Sequence, residues 1–177
     1  MSPCADGASQ RINHHPNPWR GPVICWVEVM WAMGILQPSS NAAMTYVCDC
    51  ALELYADAEQ LLTVLELACV MWALARNQCK HTSMMRLLVK KATGQLDSFS
   101  LNTLALFLWS MTMLECRDDA FLNASTPLLL CVTTENDDLS DVSNILWALA
   151  HFRVPIRDDI LEHVVRCIWK NEVCMHV

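Results

Sequence analysis

The chain has 177 residues, of which 54% are apolar and 18% charged, with a net charge of −7 and a pI near 5.2. So large an apolar share excludes a disordered chain, and four glycines leave little material for tight β-turns, so a mostly helical domain is expected. The acidic balance excludes a general polyanion binder: any nucleic-acid surface must be local.

Residues 1–21 contain Pro3, Pro16, Pro18 and Gly7 and no apolar period, and are expected to form a disordered lead-in or part of a transit segment. From residue 22 to residue 177 one pattern recurs. Val29-Met30-Trp31-Ala32-Met33-Gly34 is followed by Val70-Met71-Trp72-Ala73-Leu74-Ala75, then Phe107-Leu108-Trp109-Ser110-Met111-Thr112, then Ile145-Leu146-Trp147-Ala148-Leu149-Ala150. Successive tryptophans stand 41, 37 and 38 residues apart, the period of a helical-pair array. The expected fold is therefore all-α, an α-solenoid of about four helix-pair repeats spanning roughly 22–56, 57–96, 97–137 and 138–177.

In the first repeat, proline at position 22 suits a first turn, and the Trp helix is expected to run to Leu36. Gln37-Pro38-Ser39-Ser40-Asn41 should break it, with a partner helix over Ala42–Ala56. The second Trp helix is expected from about Ala58 to Arg76, with a loop to His81, Thr82 or Ser83 as N-cap of the partner helix, and Gly94 as its stop. The third opens at Asp97-Ser98-Phe99-Ser100 and runs to Leu114; its partner starts at Arg117-Asp118-Asp119 and is interrupted by Pro127. The fourth opens at Asp138 or Ser140, runs to Phe152, and restarts at Arg157-Asp158-Asp159 for a helix reaching Lys170 or beyond.

Within each Trp helix, apolar residues fall five, two and one positions before the Trp and two and five after it, as in Val142, Ile145, Leu146, Leu149 and Phe152. This spacing makes one broad apolar stripe. Small residues one and three positions after the Trp should let the next helix approach closely. Trp31, Trp72, Trp109 and Trp147 are expected to be the buried structural spine, so replacing Trp147 should unfold its repeat.

These residues resemble a known class. Phe99-Ser100 leading to Leu104 and Phe107-Leu108-Trp109, and Val142 to Ala150 followed by Arg157-Asp158-Asp159 and Leu161, look like the octotricopeptide repeats of organelle RNA-binding proteins. They look equally like the leucine-rich helical region of FAST-kinase-like and RAP-domain proteins. The resemblance implies binding of single-stranded RNA in the mitochondrial matrix, or alternatively the chloroplast, with a role in RNA processing and mRNA stability. No RAP module follows the fourth repeat, so nuclease-like activity is not implied, and a fragment of a longer array is expected.

The charge pattern marks one candidate surface for RNA. No Lys or Arg lies between Arg20 and Arg76, whereas Arg76, Lys80, Arg86, Lys90 and Lys91 fall within 16 residues that contain no acid. Arg86 and Lys90, four apart, share a helix face. Such a strip could hold phosphates while the repeats present side chains to bases.

Other chemistry is weakly represented. The ten cysteines include no CxxC pair and read as small core residues in a reducing compartment, not as metal ligands or disulfides. The histidines lack metal-ligand spacing, and no Gly-rich phosphate loop occurs, so no enzyme, cofactor or metal site is expected. The Arg-Asp-Asp repeats read as helix caps, acids in a first turn complementing the helix dipole. No uncharged stretch approaches the roughly 20 apolar residues of a membrane span. The alternative function is a protein-interaction scaffold of the armadillo or HEAT kind, and exposed array ends could also engage other proteins.

Overall fold

A computed structural model describes residues 24–56, 62–133 and 139–174. The lead-in over 1–21 and the start of the fourth repeat at Asp138 lie outside these residues, whereas the second Trp helix, expected from about Ala58, begins only at Val64, where the Thr63 side chain caps it. Among the described residues the fold is all-α, with no strand. The described residues form eight α-helices: α1 (Ile24–Leu36), α2 (Ala42–Ala56), α3 (Val64–Arg76), α4 (Thr82–Thr93), α5 (Leu101–Met113), α6 (Asp119–Ser125), α7 (Leu139–His151) and α8 (Asp158–Cys174). Two 3-10 segments, Leu96–Ser98 and Thr126–Cys131, join them. Pro127 lies in the first turn of the second segment, where its missing N–H costs nothing, and it ends α6 after seven residues.

The helix starts are set by short polar side chains. Thr63 and Glu66 form a reciprocal capping box on α3: the Glu66 N–H donates to Thr63 Oγ1 at 3.3 Å and the Thr63 N–H to Glu66 Oε2 at 2.7 Å. Ser100 and Thr103 do the same for α5. Asp118 caps α6 by accepting from the Phe121 N–H at 2.9 Å. For α4 the cap is neither Thr82 nor Ser83 but His81, whose Nδ1 accepts from the Met84 N–H at 3.2 Å while Nε2 lies 3.0 Å from Asp49 Oδ1. An imidazole with one nitrogen accepting and the other bound to a carboxylate fills the cap role as an Asx side chain would. Gly94 does follow α4, but with φ −72° and ψ −10°, so its stop uses none of glycine's special freedom.

The four Trp helices share one device at their C-terminal ends. Gln37, Gln78, Glu115 and Arg153 have φ of 45°, 51°, 55° and 54°, and each stands six residues after its repeat's tryptophan. The last three close a paired C-terminal motif: Gln78 N–H to Ala75 O and Cys79 N–H to Leu74 O, Glu115 to Thr112 and Cys116 to Met111, Arg153 to Ala150 and Val154 to Leu149. In the first repeat the next residue is Pro38, which has no N–H to give, and only Gln37 bonds back, to Met33 O.

Packing follows repeat order. α1 packs on α3, α3 on α5 and α5 on α7, forming one row, while α2 meets α4, α4 meets α6, and α8 lies on the 3-10 segment Thr126–Cys131. Small residues allow the close approach within the row. A β-carbon added to Gly34 would stand 2.7 Å from Cζ3 of Trp72 and 3.1 Å from Cα of Ala73. Buried Ser110 and Thr112 fit the same interface because their hydroxyls donate to Leu106 O and Leu108 O, one turn back in their own helix. Phe107 and Phe121 are wholly buried and, with Phe99, form an edge-packed aromatic cluster with centroids 5.1 to 6.2 Å apart.

Carbonyls at the row's helix ends are satisfied from neighbouring repeats. Asn77 Nδ2 donates to Met33 O, Gln37 Nε2 to Arg76 O, and Arg117 Nη1 to Phe152 O at 2.7 Å. Arg117 also donates to Asp119, and Arg157 to Asp159, so both Arg-Asp-Asp elements are helix-start structures. The Arg157 guanidinium holds the Asp159 carboxyl below its ordinary value.

Candidate functional site

The tryptophans are not the buried spine expected of them. Trp31 is 48% exposed and Trp147 47%, and Trp72 and Trp109 are partly buried. The reason is helical geometry. In α3 the buried residues Leu67, Ala68, Val70, Met71, Ala73, Leu74 and Ala75 cover most of the helix, leaving an arc of Leu65, Cys69, Trp72 and Arg76 with Trp72 at its edge, its ring against Gly34 of α1. The spine consists instead of the residues flanking each tryptophan: Met71 and Leu74, Phe107, Leu108 and Met111, Ile145 and Leu149.

With each tryptophan, residues seven and three before it and four after complete a solvent-facing stripe. On α3 these are Leu65, Cys69 and Arg76; on α5, Asn102, Leu106 and Met113; on α7, Ser140, Asn144 and His151. Because α1, α3, α5 and α7 pack in order, these three stripes share one face of the row, and exposed Glu28, Trp31 and Ile35 hold the equivalent positions on α1. The Arg76 guanidinium carbon lies 5.9 Å from the centroid of the Trp72 ring, a cation–π arrangement, and His151 lies 6.0 Å from Trp147. Between α3 and α5, reaching α7, a cleft of about 260 Å³ opens. Trp72, Ala105, Leu106 and Trp109 line it. Its polar lining is Asn102, Asp141 and Asn144, and Asn102 Nδ2 donates to both Asp141 oxygens, at 3.2 and 3.4 Å.

The five basic residues do not form one strip. Arg76 belongs to the tryptophan face. Lys80 is paired with Glu115 across the repeat boundary, which holds the Glu115 carboxyl below its ordinary value. Arg86 and Lys90 are exposed and share a face of α4, as their spacing requires, and Lys91 is half-buried. Met84, Leu88 and Ala92 are buried on the other side of α4, which packs against α3. Arg86 and Lys90 therefore look away from the tryptophan row. Consecutive helices of a hairpin bury facing sides, so a charge cluster running from one helix into the next is divided between opposite surfaces.

The stripe was open to sequence reasoning. The apolar positions around each Trp are centred about 200° from it at roughly 100° per residue, which turns the indole outward. Asn102, Asp141 and Asn144 carry no such signal: only the packing of α5 on α7 brings them together.

Burial pushes the Cys48 thiol up to about 12, and Cys79 and Cys116 are raised by the same cause. These thiols behave as core atoms. Among the described residues no group of three metal-ligating side chains occurs, and no helix is long and apolar enough to cross a membrane. The chain matches no family model, no curated protein and no solved structure.

Proposed function

We propose that the chain is an α-solenoid segment of four helix-pair repeats that binds single-stranded RNA on its tryptophan face. The observation that carries this reading is a row of four solvent-reaching indoles, one per repeat, on successively packed helices, with Arg76 over one of them. Exposed aromatic faces at regular intervals suit unstacked bases, and each base–aromatic stack contributes about 1–3 kcal/mol. Arg76 serves the phosphates at this face, and Arg86 and Lys90 act at most as a remote field. The resemblance to octotricopeptide and FAST-kinase-like repeats supports RNA as the ligand and the mitochondrial matrix, or the chloroplast, as the compartment.

A second reading, a peptide-binding scaffold of the armadillo or HEAT kind, is favoured by the net charge of −7 and by exposed Ile35, Leu65 and Met113 beside the indoles. Salt separates the two. RNA affinity should fall as salt rises, with a log–log slope of about −0.7 per phosphate contact for a single strand. Replacing Arg76 with Glu should weaken binding and flatten that slope, whereas Arg86→Glu with Lys90→Glu should change both less. Absence of RNA binding even at low salt favours the scaffold.

A further inference from the structure

We propose that a second copy of this chain docks end to end on the first, its α1 seated on the open side of α7, so that the helix row continues from one molecule into the next. The two ends of the row expose opposite halves of an interface used three times inside it, by α1 on α3, α3 on α5 and α5 on α7. Counted from each tryptophan, the residues four and one before it and three after face the following helix: Gly34 of α1 meets Trp72 and Ala73 of α3. On α3 and α5 these are Ala68, Met71 and Ala75, and Ala105, Leu108 and Thr112, all buried, as are their counterparts on α1. On α7, which has no further neighbour in the row among the described residues, Ser143 and Ala150 are exposed and Leu146 is half-buried. The other side of each helix shows the converse. Positions two before the tryptophan and one, two and five after it face the preceding helix, as Asn77 does in donating to Met33 O. In the fourth repeat they are the buried Ile145, Ala148, Leu149 and Phe152. In the first they are Val29, 40% exposed, Ala32 and Met33, half-buried, and Leu36, 78% exposed.

Neither face carries what closes such a row. A terminal repeat that meets water needs a polar outer surface, yet none of these exposed positions on α1 and α7 holds a charge. Ser143, the one polar side chain among them, donates its hydroxyl to Leu139 O at 2.8 Å in its own helix, as Ser110 does to Leu106 O while buried inside the row. The faces also match by kind. Ser-Leu-Ala on α7 repeats the Ala-Leu-Thr that α5 sets against α7, and Val-Ala-Met-Leu on α1 repeats the Ile-Ala-Leu-Phe that the fourth repeat sets against α5. Seated as α3 sits on α1, the second copy brings its Trp31 and Ala32 to Ala150, as Trp72 and Ala73 come to Gly34. Ala75 and Thr112 hold larger side chains than Gly34 at this position, so Ala150 fits the same seat. The second layer carries exposed apolar side chains at both ends too: Leu161, Val165 and Trp169, four residues apart on one face of α8, and Tyr46 on α2. The complement of each face lies on this same chain, which singles out a second copy as the occupant. The contact is head-to-tail, so each added copy leaves one open face at either end.

The test measures mass against concentration for the full chain by sedimentation velocity, without RNA, so its outcome is independent of the RNA-binding reading. The mass should rise with concentration past that of a dimer. Val29→Lys and Ala150→Lys each place a charge on one face, at positions exposed in the single copy, so both should keep the parent's thermal unfolding at concentrations where the parent is monomeric. Each variant alone should sediment as a monomer where the parent is assembled. Mixed in equal amounts, the two should form a dimer and nothing larger, because one intact α1 face and one intact α7 face remain between them. Leu36→Lys and Ser143→Lys are second variants of the same two faces, with the same outcomes expected should either first variant fail to fold. A parent that stays monomeric throughout overturns the proposal. So does a variant that still self-associates, since like faces would then be pairing, and so does a mixture that stays monomeric.

Discussion

At the residue scale, the repeat is punctuated by a position without side-chain logic of its own. Gln78, Glu115 and Arg153 all take the left-handed conformation that glycine adopts freely, and all three let the backbone close the same pair of C-terminal hydrogen bonds. No glycine marks these sites, so the sequence does not announce them; four repeats in register do. An L-residue held there is strained, so Arg153→Gly should raise unfolding free energy by about 1 kcal/mol in urea denaturation, with no loss of helical signal. A destabilised variant would mean that the arginine side chain contributes more than its backbone costs.

Cys48 gives a second residue-scale prediction. Its thiol stays protonated to about 12 in the folded chain and loses its proton near the ordinary value of 9 once unfolded. The folded state therefore holds the extra proton between these values. Stability from this group is fully present below pH 9 and should fall by about 1.4 kcal/mol per pH unit up to pH 12. Cys48→Ala should flatten that alkaline decline in denaturant titrations. Cys131, which is exposed, should react with a thiol reagent at neutral pH well before Cys48 does.

At the element scale, most of the architecture was legible. The partner helix over Ala42–Ala56, the end of α3 at Arg76, the break at Pro127 and the restart after Arg157 all fall where proline, polar loops and apolar period place them. The misread element was the tryptophan. Hydrophobicity argues for burial, but position on the wheel argues against it, and position wins because the flanking Met, Leu and Ala already fill the interface. Trp147→Ala should accordingly cost less than about 1.5 kcal/mol, whereas Leu149→Ala, deleting a wholly buried side chain, should cost about 2–5. Urea unfolding of both variants checks this ordering, and an equal or larger loss for Trp147 would restore it to the core.

At the scale of the whole molecule, a sequence shows charge along a line and a structure divides it between surfaces. The run from Arg76 to Lys91 is continuous in the chain, yet the α3–α4 hairpin sends Arg76 to the tryptophan face and Arg86 and Lys90 to the opposite one. Composition remains informative: a net charge of −7 leaves affinity to local contacts, and the local contacts available are aromatic. The Asn102–Asp141 pair lay beyond sequence reasoning because its partners are 39 residues apart and meet only through the stacking of α5 on α7.

The measurement that tests the account most directly is single-stranded RNA titrated into the purified chain, compared with Trp109→Ala and with Arg86→Glu plus Lys90→Glu. Intrinsic fluorescence should be quenched as bases stack on the indoles, Trp109→Ala should weaken binding about tenfold with its unfolding transition retained, and the α4 double variant should bind nearly as the parent does. RNA binding that survives Trp109→Ala unchanged but is abolished by the α4 substitutions would contradict the tryptophan face as the binding surface.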